Sequence, residues 1–243
     1  MQRKRFQFTS IIEWGTLLIT TGLVCFFLVL ILWEIISQGA GSLSWSFISE
    51  VPREGMTKGG ILTPILGTVL LTLLTALFSI PFGVCCAIYL NEYAEDNWLT
   101  KTIRAAIRNL SGVPSIIYGL FGLALFVQAL QLGTSMLSAG LTLGLLSLPY
   151  IITTTEEALM RIPASTREAA LAVGATKLET IKDVVLPSAM PGILTGVVLT
   201  LSRAAGETAP ILFTGAAFYI NGIGGTVDNE FMALPYHLYM LST

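Results

Sequence analysis

The chain of 243 residues has 13 lysines and arginines and 15 aspartates and glutamates, so only 12% of it is charged, whereas 53% is hydrophobic. Soluble domains are about 25% charged and disordered chains are rich in charge, so both classes are excluded. The mean hydropathy of +0.77 predicts an integral membrane protein, and the net charge of −2 gives no reason to expect nucleic acid as a partner.

Uncharged stretches of about 20 residues or more predict membrane-spanning helices. The first runs from Trp14 to Trp33, and a tryptophan at each end suits the membrane interface. It is longer than the apolar core of a signal peptide, so we expect it to be retained. The second runs from Gly59 to Asn91, where Pro64 suits a first helical turn and Pro81 predicts a kink.

The uncharged stretch from Asn109 to Thr155 is too long for one span. Its glycine at position 133 predicts a division into spans at about 113–132 and 137–155. A fifth span is predicted from about Ser188 to Ala205.

The C-terminal segment 208–243 is apolar, but prolines and glycines interrupt it, so no clean sixth span is expected there. The interrupting residues are Pro210, Gly215, Gly222, Gly224, Gly225 and Pro235. The predicted fold class is an all-α, polytopic transmembrane helical bundle with five clear spans.

The distribution of lysine and arginine predicts a cytoplasmic N-terminus, because positive residues concentrate in cytoplasmic loops. The external segments would then hold only Arg53 and Lys58, which places 37–58 and 208–243 outside. The cytoplasmic segments would hold the larger set: Arg3, Lys4, Arg5, Lys101, Arg104, Arg108, Arg161, Arg167, Lys177 and Lys182.

The segment from Trp98 to Leu110 has apolar residues at helical spacing, with Lys101, Arg104 and Arg108 on another face. This pattern is typical of an interfacial helix that lies against anionic head groups. A solvated helical connector is the alternative.

The segment 156–187, here called the EAA segment, predicts two short helices joined at Gly174. Ser165 with Glu168 and Thr176 with Glu179 both fit the capping-box spacing. Gly174 fits a left-handed helix stop, and Pro187 is expected to end the second helix. A bare linker would not need these signals, so we expect a cytoplasmic helical knob that a soluble partner can grip.

The EAA segment resembles the EAA loop of ABC-transporter permeases. It has Glu168-Ala169-Ala170, then Gly174 after three residues, then Val184 after nine, and Leu186-Pro187 after one more. In that family the loop docks into the ATP-hydrolysing subunit. The resemblance implies coupling roles for eight residues: Ser165, Glu168, Ala169, Ala170, Gly174, Ala175, Leu186 and Pro187.

Further stretches are similar to the permeases of the phosphate-specific transport system. They are 59–61 with 67–68, 87–93, 112–122 and 206–210. The Leu-Asn-Glu-Tyr and Glu-Thr-Ala-Pro stretches favour the A-type subunit, PstA, over its C-type partner. The resemblance divides the chain into an N-terminal span with its external loop at 1–58 and a MetI-like permease core at 59–243. That family usually has a last span after Leu234–His237, so the sixth span is expected to be missing or shortened.

Arg203 and Glu207 are the leading candidates for a substrate pathway. A charge inside the bilayer costs about 2.5–3.5 kcal/mol, so it normally faces a pathway or a partner. The planar guanidinium binds two phosphate oxygens at once, and Glu207 at i+4 can orient it. A structural ion pair is the alternative. Thr208, Ser115 and Tyr118 are further pathway candidates, although helix packing explains the last two equally well.

The resemblance implies a permease subunit of an ATP-driven phosphate importer that works by alternating access. Its implied partners are a second permease, two copies of an ATP-binding subunit with ATP and Mg²⁺, an extracytoplasmic phosphate-binding protein, phosphate and the lipid bilayer of the inner membrane. The chain itself is expected to bind no cofactor or metal and to have no catalytic residues. A permease for molybdate or sulfate, and the C-type partner, are the near alternatives. An intramembrane enzyme is disfavoured because His237 is the sole histidine.

Overall fold

The computed structural model describes residues 2–220, 222 and 226–242, with backbone alone for 2–13. Gly224 and Gly225, two of the glycines expected to interrupt the C-terminal segment, lie outside the described residues. The chain forms two compact units, Met1–Ser49 and Glu50–Thr243.

The first unit consists of a long helix and a short one. Helix α1, Gln2–Gly39, contains the predicted first span, and a 3₁₀ turn at Ala40–Ser42 separates it from α2, Trp45–Ser49. The stretch Trp14–Ser42 is long and apolar enough to cross a membrane.

Among its described residues, the second unit contains three further segments with the length and apolarity of a span. Helix α3, Leu62–Ile88, continues through Pro81 and is extended by a π-helical turn at Tyr89–Tyr93. Helix α6 covers Met136–Met160. The third segment runs from α8, Lys177–Glu179, through a π-helical turn at Thr180–Val185 into α9, Leu186–Ala205.

Shorter helices complete the second unit. They are α4 (Trp98–Leu110), α5 (Ser115–Gly122, extended by a π-helical stretch at Leu123–Ala129), α7 (Ala164–Ala172), α10 (Ala209–Thr214) and α11 (Leu234–Ser242). Helices α4 and α5 are bent by 101° at a short break. The third predicted span is therefore shorter than 113–132, and only together with α4 does it count as a spanning segment.

Helices α3 and α6 pack closely because glycines on each of them admit side chains of the other. A Cβ on Gly83 of α3 would lie 2.6 Å from Ile151, and one on Gly140 of α6 would lie 2.6 Å from Leu74. Helix α9 approaches α6 in the same way, because a Cβ on Gly196 would lie 2.5 Å from the hydroxyl of Thr154. Small residues therefore bring the three long helices of this unit together.

The segment after α10 covers the N-terminal ends of α3 and α6, here called the far end of the bundle. The N–H of Met136 donates to the carbonyl of Asn229 at 2.9 Å, and that of Ser135 donates to Thr214 at 3.0 Å. The N–H of Leu234 donates to the hydroxyl of Thr68 at 2.8 Å. Two of these bonds satisfy N–H groups at the start of α6 that helix geometry leaves free. As predicted, no clean span lies in the described part of 208–243, which forms the short helices α10 and α11 and connecting chain.

Pro187 does not end a helix, contrary to the sequence-based expectation. It lies in the first turn of α9, which follows the π-helical turn directly. The N–H of Leu186 donates to the carbonyl of Ile181, five residues back. We attribute the continuity to this wider turn, because a proline ring clashes with the carbonyl four residues before it in a regular helix.

Candidate functional site

Arg203 lies in the last turn of α9 and contacts two side chains. The Cζ of its guanidinium is 4.4 Å from the centre of the Tyr150 ring on α6, and its Nε lies 3.5 Å from a carboxylate oxygen of Glu207. The Arg203 side chain is 48% exposed and that of Glu207 is 15% exposed. The i,i+4 ion pair predicted from the spacing is therefore formed, and the guanidinium keeps an open side on which an anion can bind.

Tyr150 also connects Arg203 to the break between α4 and α5. Its hydroxyl donates to the carbonyl of Ser111 at 2.7 Å, and the hydroxyl of Tyr118 donates to the carbonyl of Leu110 at 3.0 Å. The last carbonyls of a helix have no partner within it. The two tyrosines thus supply donors at the end of α4, and Tyr150 presents its ring to Arg203.

Of the other pathway candidates, Tyr118 lies nearest to this contact, because its hydroxyl and that of Tyr150 bond neighbouring carbonyls. Ser115 begins α5 and is half-buried, while Thr208 precedes α10 without capping it through its side chain. Tyr118 packs against the buried cluster that joins α3 and α6. The structure therefore brings together Arg203, Glu207 and Tyr150, and Tyr150 was missed by sequence reasoning because its contact depends on how α6 meets α9.

The EAA segment contains one short helix, α7, which is joined at Gly174 to the long segment that starts with α8 and continues through α9. The predicted joint is present, but the second predicted helix is the start of a long one. Gly174 has a φ of +94°, a conformation that favours glycine. Thr176 and Glu179 form the predicted capping box, each side chain bonding the backbone N–H of the other residue. The capping box predicted for Ser165 and Glu168 is wrong, because α7 begins earlier, after Pro163, and has no side-chain cap.

Most coupling candidates of the EAA segment lie on its surface. Ser165, Glu168, Ala169, Gly174 and Pro187 are exposed, Ala175 and Leu186 are half-buried, and Ala170 is buried. The loop also exposes large apolar side chains, of which Val173 is the most accessible at 86%, with Leu171 and Leu178 beside it in sequence. An exposed apolar patch bordered by charge is typical of a protein-binding surface.

An ion pair that sequence reasoning missed joins the EAA segment to the end of α3. The guanidinium of Arg167 bonds the carboxylate of Glu92, with Nη2 and Oε1 at 2.7 Å. The sequence marks Arg167 only as one of the predicted cytoplasmic positive residues. The available signal was Glu92 itself, the first charge after the uncharged stretch 59–91.

Comparison with known proteins gives the chain a family. Residues 79–241 match the family described as binding-protein-dependent transport system inner membrane component. The chain is 37% identical over 180 residues to a probable ABC transporter permease protein, YqgI, of Bacillus subtilis, covering 74% of this chain and 61% of that protein. It is also 37% identical over 190 residues to the phosphate transport system permease protein PstA of Yersinia pestis, covering 78% and 64%.

A third relative, the PstA of Pasteurella multocida, is 36% identical over 220 residues, covering 87% of this chain and 78% of that protein. The chain spans less than two thirds of the length of the first two relatives, YqgI and the Yersinia pestis PstA. Among solved structures, an inward-facing MetNI methionine ABC transporter matches with a TM-score of 0.56 and 24% identity, covering 60% of this chain and 70% of that chain. This likeness supports the fold.

Proposed function

Because the chain belongs to the family of binding-protein-dependent transport system inner membrane components, we propose that it is one permease subunit of an ATP-driven importer of inorganic phosphate. The fold agrees with that of an ABC permease, and relatives named as phosphate transport system permeases match most of the chain. The proposal concerns the substrate, the partners and the role of each site.

The contact of Arg203 with Tyr150 and Glu207 is the observation that carries the substrate assignment. A guanidinium held inside a membrane helix is costly unless it has a partner or a function. The Tyr150 ring and the Glu207 carboxylate orient it, while nearly half of its surface remains open. A planar guanidinium fits a tetrahedral oxyanion through two parallel hydrogen bonds. Glu207 balances the charge between ions, which keeps binding weak enough for release.

The EAA segment supplies the second half of the proposed function. Its exposed residues from Ser165 to Leu178 would dock on an ATP-binding subunit, with Val173 among the apolar contacts. ATP and Mg²⁺ would bind that subunit, so the chain itself would transport without hydrolysing ATP. Closure of two such subunits would move α7 and switch the pathway between its outward-open and inward-open states.

The remaining partners follow from the same proposal. A second permease would complete the pathway, and a soluble phosphate-binding protein would deliver the ion at the far end of the bundle. The chain is a multi-pass membrane protein, and we propose that its N-terminus and the EAA segment both lie on the cytoplasmic side. Arg203 contacts Tyr150, the fifteenth of the 25 residues of α6, so Arg203 lies near the middle of the bundle.

Competition among oxyanions tests the proposed substrate. The complex of this chain with its partner subunits, reconstituted in vesicles, should accumulate radioactive phosphate when ATP and the binding protein are supplied. A tenfold excess of unlabelled phosphate should suppress the accumulation of radioactive phosphate, whereas the same excess of molybdate or sulfate should leave it unchanged. Suppression by molybdate or sulfate alone would assign the permease to that anion instead.

A further inference from the structure

We propose that the π-helical turn Tyr89–Tyr93 at the end of α3 fixes the EAA segment to the transmembrane bundle, and that Arg167 and Glu92 are the positioning residues of this attachment. The inference rests on the proposed coupling role of the EAA segment and assigns how its movement reaches the bundle. It also gives a role to the Leu-Asn-Glu-Tyr stretch, which the pathway does not use.

The ion pair has the geometry and burial of a fixed attachment. Arg167 directs Nη2 at 2.7 Å and Nε at 3.2 Å to the two oxygens of Glu92, a bidentate arrangement. The amide of Asn91 donates to the same carboxylate at 2.7 Å. The Glu92 side chain is 7% exposed and that of Arg167 is 22% exposed. Opening the pair would leave the largely covered Glu92 carboxylate without a counter-charge, which is unfavourable.

Arg167 joins three elements at once. Besides Glu92 at the end of α3, it donates to the carbonyl of Leu159 at 3.0 Å and to that of Ile162 at 2.7 Å. Both carbonyls belong to the C-terminal end of α6 and the turn after it, where helical partners run out. One side chain of α7 therefore holds the ends of both long helices.

Two further cations reach the same π-helical turn. Lys177, on the other side of Gly174, places its Nζ 4.8 Å from the centre of the Tyr93 ring. Arg104 of α4 donates from Nη2 to the carbonyl of Leu90 at 2.6 Å. Both halves of the EAA segment thus contact the turn, which is itself held by α4.

These contacts connect α7 to the ends of α3 and α6. A movement of α7 therefore cannot be confined to the three-residue connection between α6 and α7. Arg167 also transmits that movement to Glu92 at the end of α3. The ion pair of Lys101 with Asp96 on the same end of the bundle provides a contrast. Those side chains are 65% and 82% exposed, and an exposed pair contributes about 0–1 kcal/mol.

A double-mutant cycle tests the attachment in the reconstituted complex. The variants are Glu92→Ala, Arg167→Ala and both together, and the measurement is the number of phosphate ions imported per ATP hydrolysed. Each single variant should lower this ratio about tenfold, and the double variant should lower it no further, because partners in one contact are not additive. The matched exposed pair, Asp96→Ala and Lys101→Ala, should keep the wild-type ratio.

A role in folding alone would give a different result. Glu92→Gln keeps the shape of the side chain and an oxygen acceptor, so this variant should assemble with the ATP-binding subunits. It should still import fewer phosphate ions per ATP hydrolysed than the wild type. Folded, assembled variants with the wild-type ratio would overturn the proposed attachment. Wild-type complex that hydrolyses ATP without importing phosphate would instead contradict the proposed function.

A spin-label measurement judges the attachment independently of the substrate. Labels at Ala172 on α7 and at Glu95 after the π-helical turn, with the native cysteines replaced, report the distance between the two elements. The mean distance between the labels should be the same in nucleotide-free and ATP-trapped complexes. The Glu92→Ala variant should show a broader distribution of this distance. A change of distance in the wild-type complex between these states would show that α7 pivots on α3, which would overturn the proposal.

Discussion

Arg203 is half-exposed, yet its guanidinium is held by a neighbouring ring and a carboxylate of its own chain. The same is true of Arg167, whose guanidinium bonds Glu92 and two carbonyls. The two sites differ in exposure. Arg203 keeps an open side, as a group that binds a passing ion must, while Glu92 is almost fully covered, as a structural partner should be.

Replacement of Arg203 tests the pathway role. Arg203→Gln removes the charge and the bidentate donors, and hydrogen bonds to a charged group are worth about 1.5–3 kcal/mol each. We expect phosphate uptake to fall about a hundredfold, with Arg203→Lys retaining part of it. The matched control is Lys58→Gln, which removes the cation of another i,i+4 pair, with Glu54, that is well exposed. Equal uptake by Arg203→Gln and wild type would leave Arg203 with a structural role.

Two substitutions of Tyr150 distinguish its ring contact with Arg203 from its hydrogen bond to Ser111. Tyr150→Phe keeps the ring beneath Arg203 and loses the bond to Ser111, while Tyr150→Leu loses both. A cation over an aromatic face is worth about 0.5–2 kcal/mol, so the leucine variant should raise the phosphate concentration for half-maximal uptake several-fold more than the phenylalanine variant. Equal effects of the two variants would assign the role of Tyr150 to its hydrogen bond with Ser111.

The limits of sequence-based prediction at this scale are specific. Arg203 and Glu207 were predicted as a pair because i,i+4 spacing on a helix suffices to bring them together. The contacts of Arg203 with Tyr150 and of Arg167 with Glu92 each join residues far apart in sequence. They depend on the register between packed helices, which a single sequence does not encode locally.

At the scale of elements, the long helices follow the uncharged stretches and the irregular turns do not. Charge and apolarity predicted α3, α6 and α9 within a few residues, because the membrane requires continuous apolar helix. The π-helical turns at 89–93, 123–129 and 180–185 have no comparable signal in the sequence. One of them, 180–185, lies within the EAA segment and another, 89–93, is its proposed attachment, in agreement with the frequent occurrence of such turns at functional sites.

Gly174 provides an element-scale prediction. A Cβ there meets nothing within 4 Å, so its positive φ of +94° is the sole obstacle to a side chain. Gly174→Ala should cost about 1–2 kcal/mol and weaken co-purification of the ATP-binding subunit and uptake. Gly174→Asn should be milder, because asparagine tolerates this region better.

The same substitution at a glycine with ordinary backbone geometry is the control. Gly39 has a φ of −85° and open space around its Cβ position, so Gly39→Ala should have little effect. Wild-type assembly and uptake of Gly174→Ala would show that the joint between α7 and α8 does not depend on its left-handed conformation.

At the scale of the whole molecule, the low number of charged residues predicts a membrane protein, and the distribution of lysine and arginine predicts its orientation. The composition alone predicted an integral membrane protein, the uncharged stretches predicted a helical bundle, and the structure and the family match agree. The predicted orientation depends on the arginines and lysines around the EAA segment. The bend of 101° between α4 and α5 was not predicted, because an uncharged stretch does not show where a helix changes direction.

Thiol labelling tests the orientation. In a variant whose native cysteines are replaced, Thr57→Cys should react with a membrane-impermeant maleimide in intact cells. Val173→Cys should react only after the membrane is opened, because the EAA segment is proposed to be cytoplasmic. Labelling of Val173→Cys in intact cells would reverse the proposed direction of transport.

Uptake of radioactive phosphate by vesicles tests the central claim most directly. Vesicles are prepared with the ATP-binding subunit, the partner permease and the binding protein, once with this chain and once without it. We predict phosphate accumulation that depends on ATP and on this chain, and loss of accumulation in its absence. Equal accumulation without the chain, or none with it while ATP is hydrolysed, would contradict its role as a permease for phosphate.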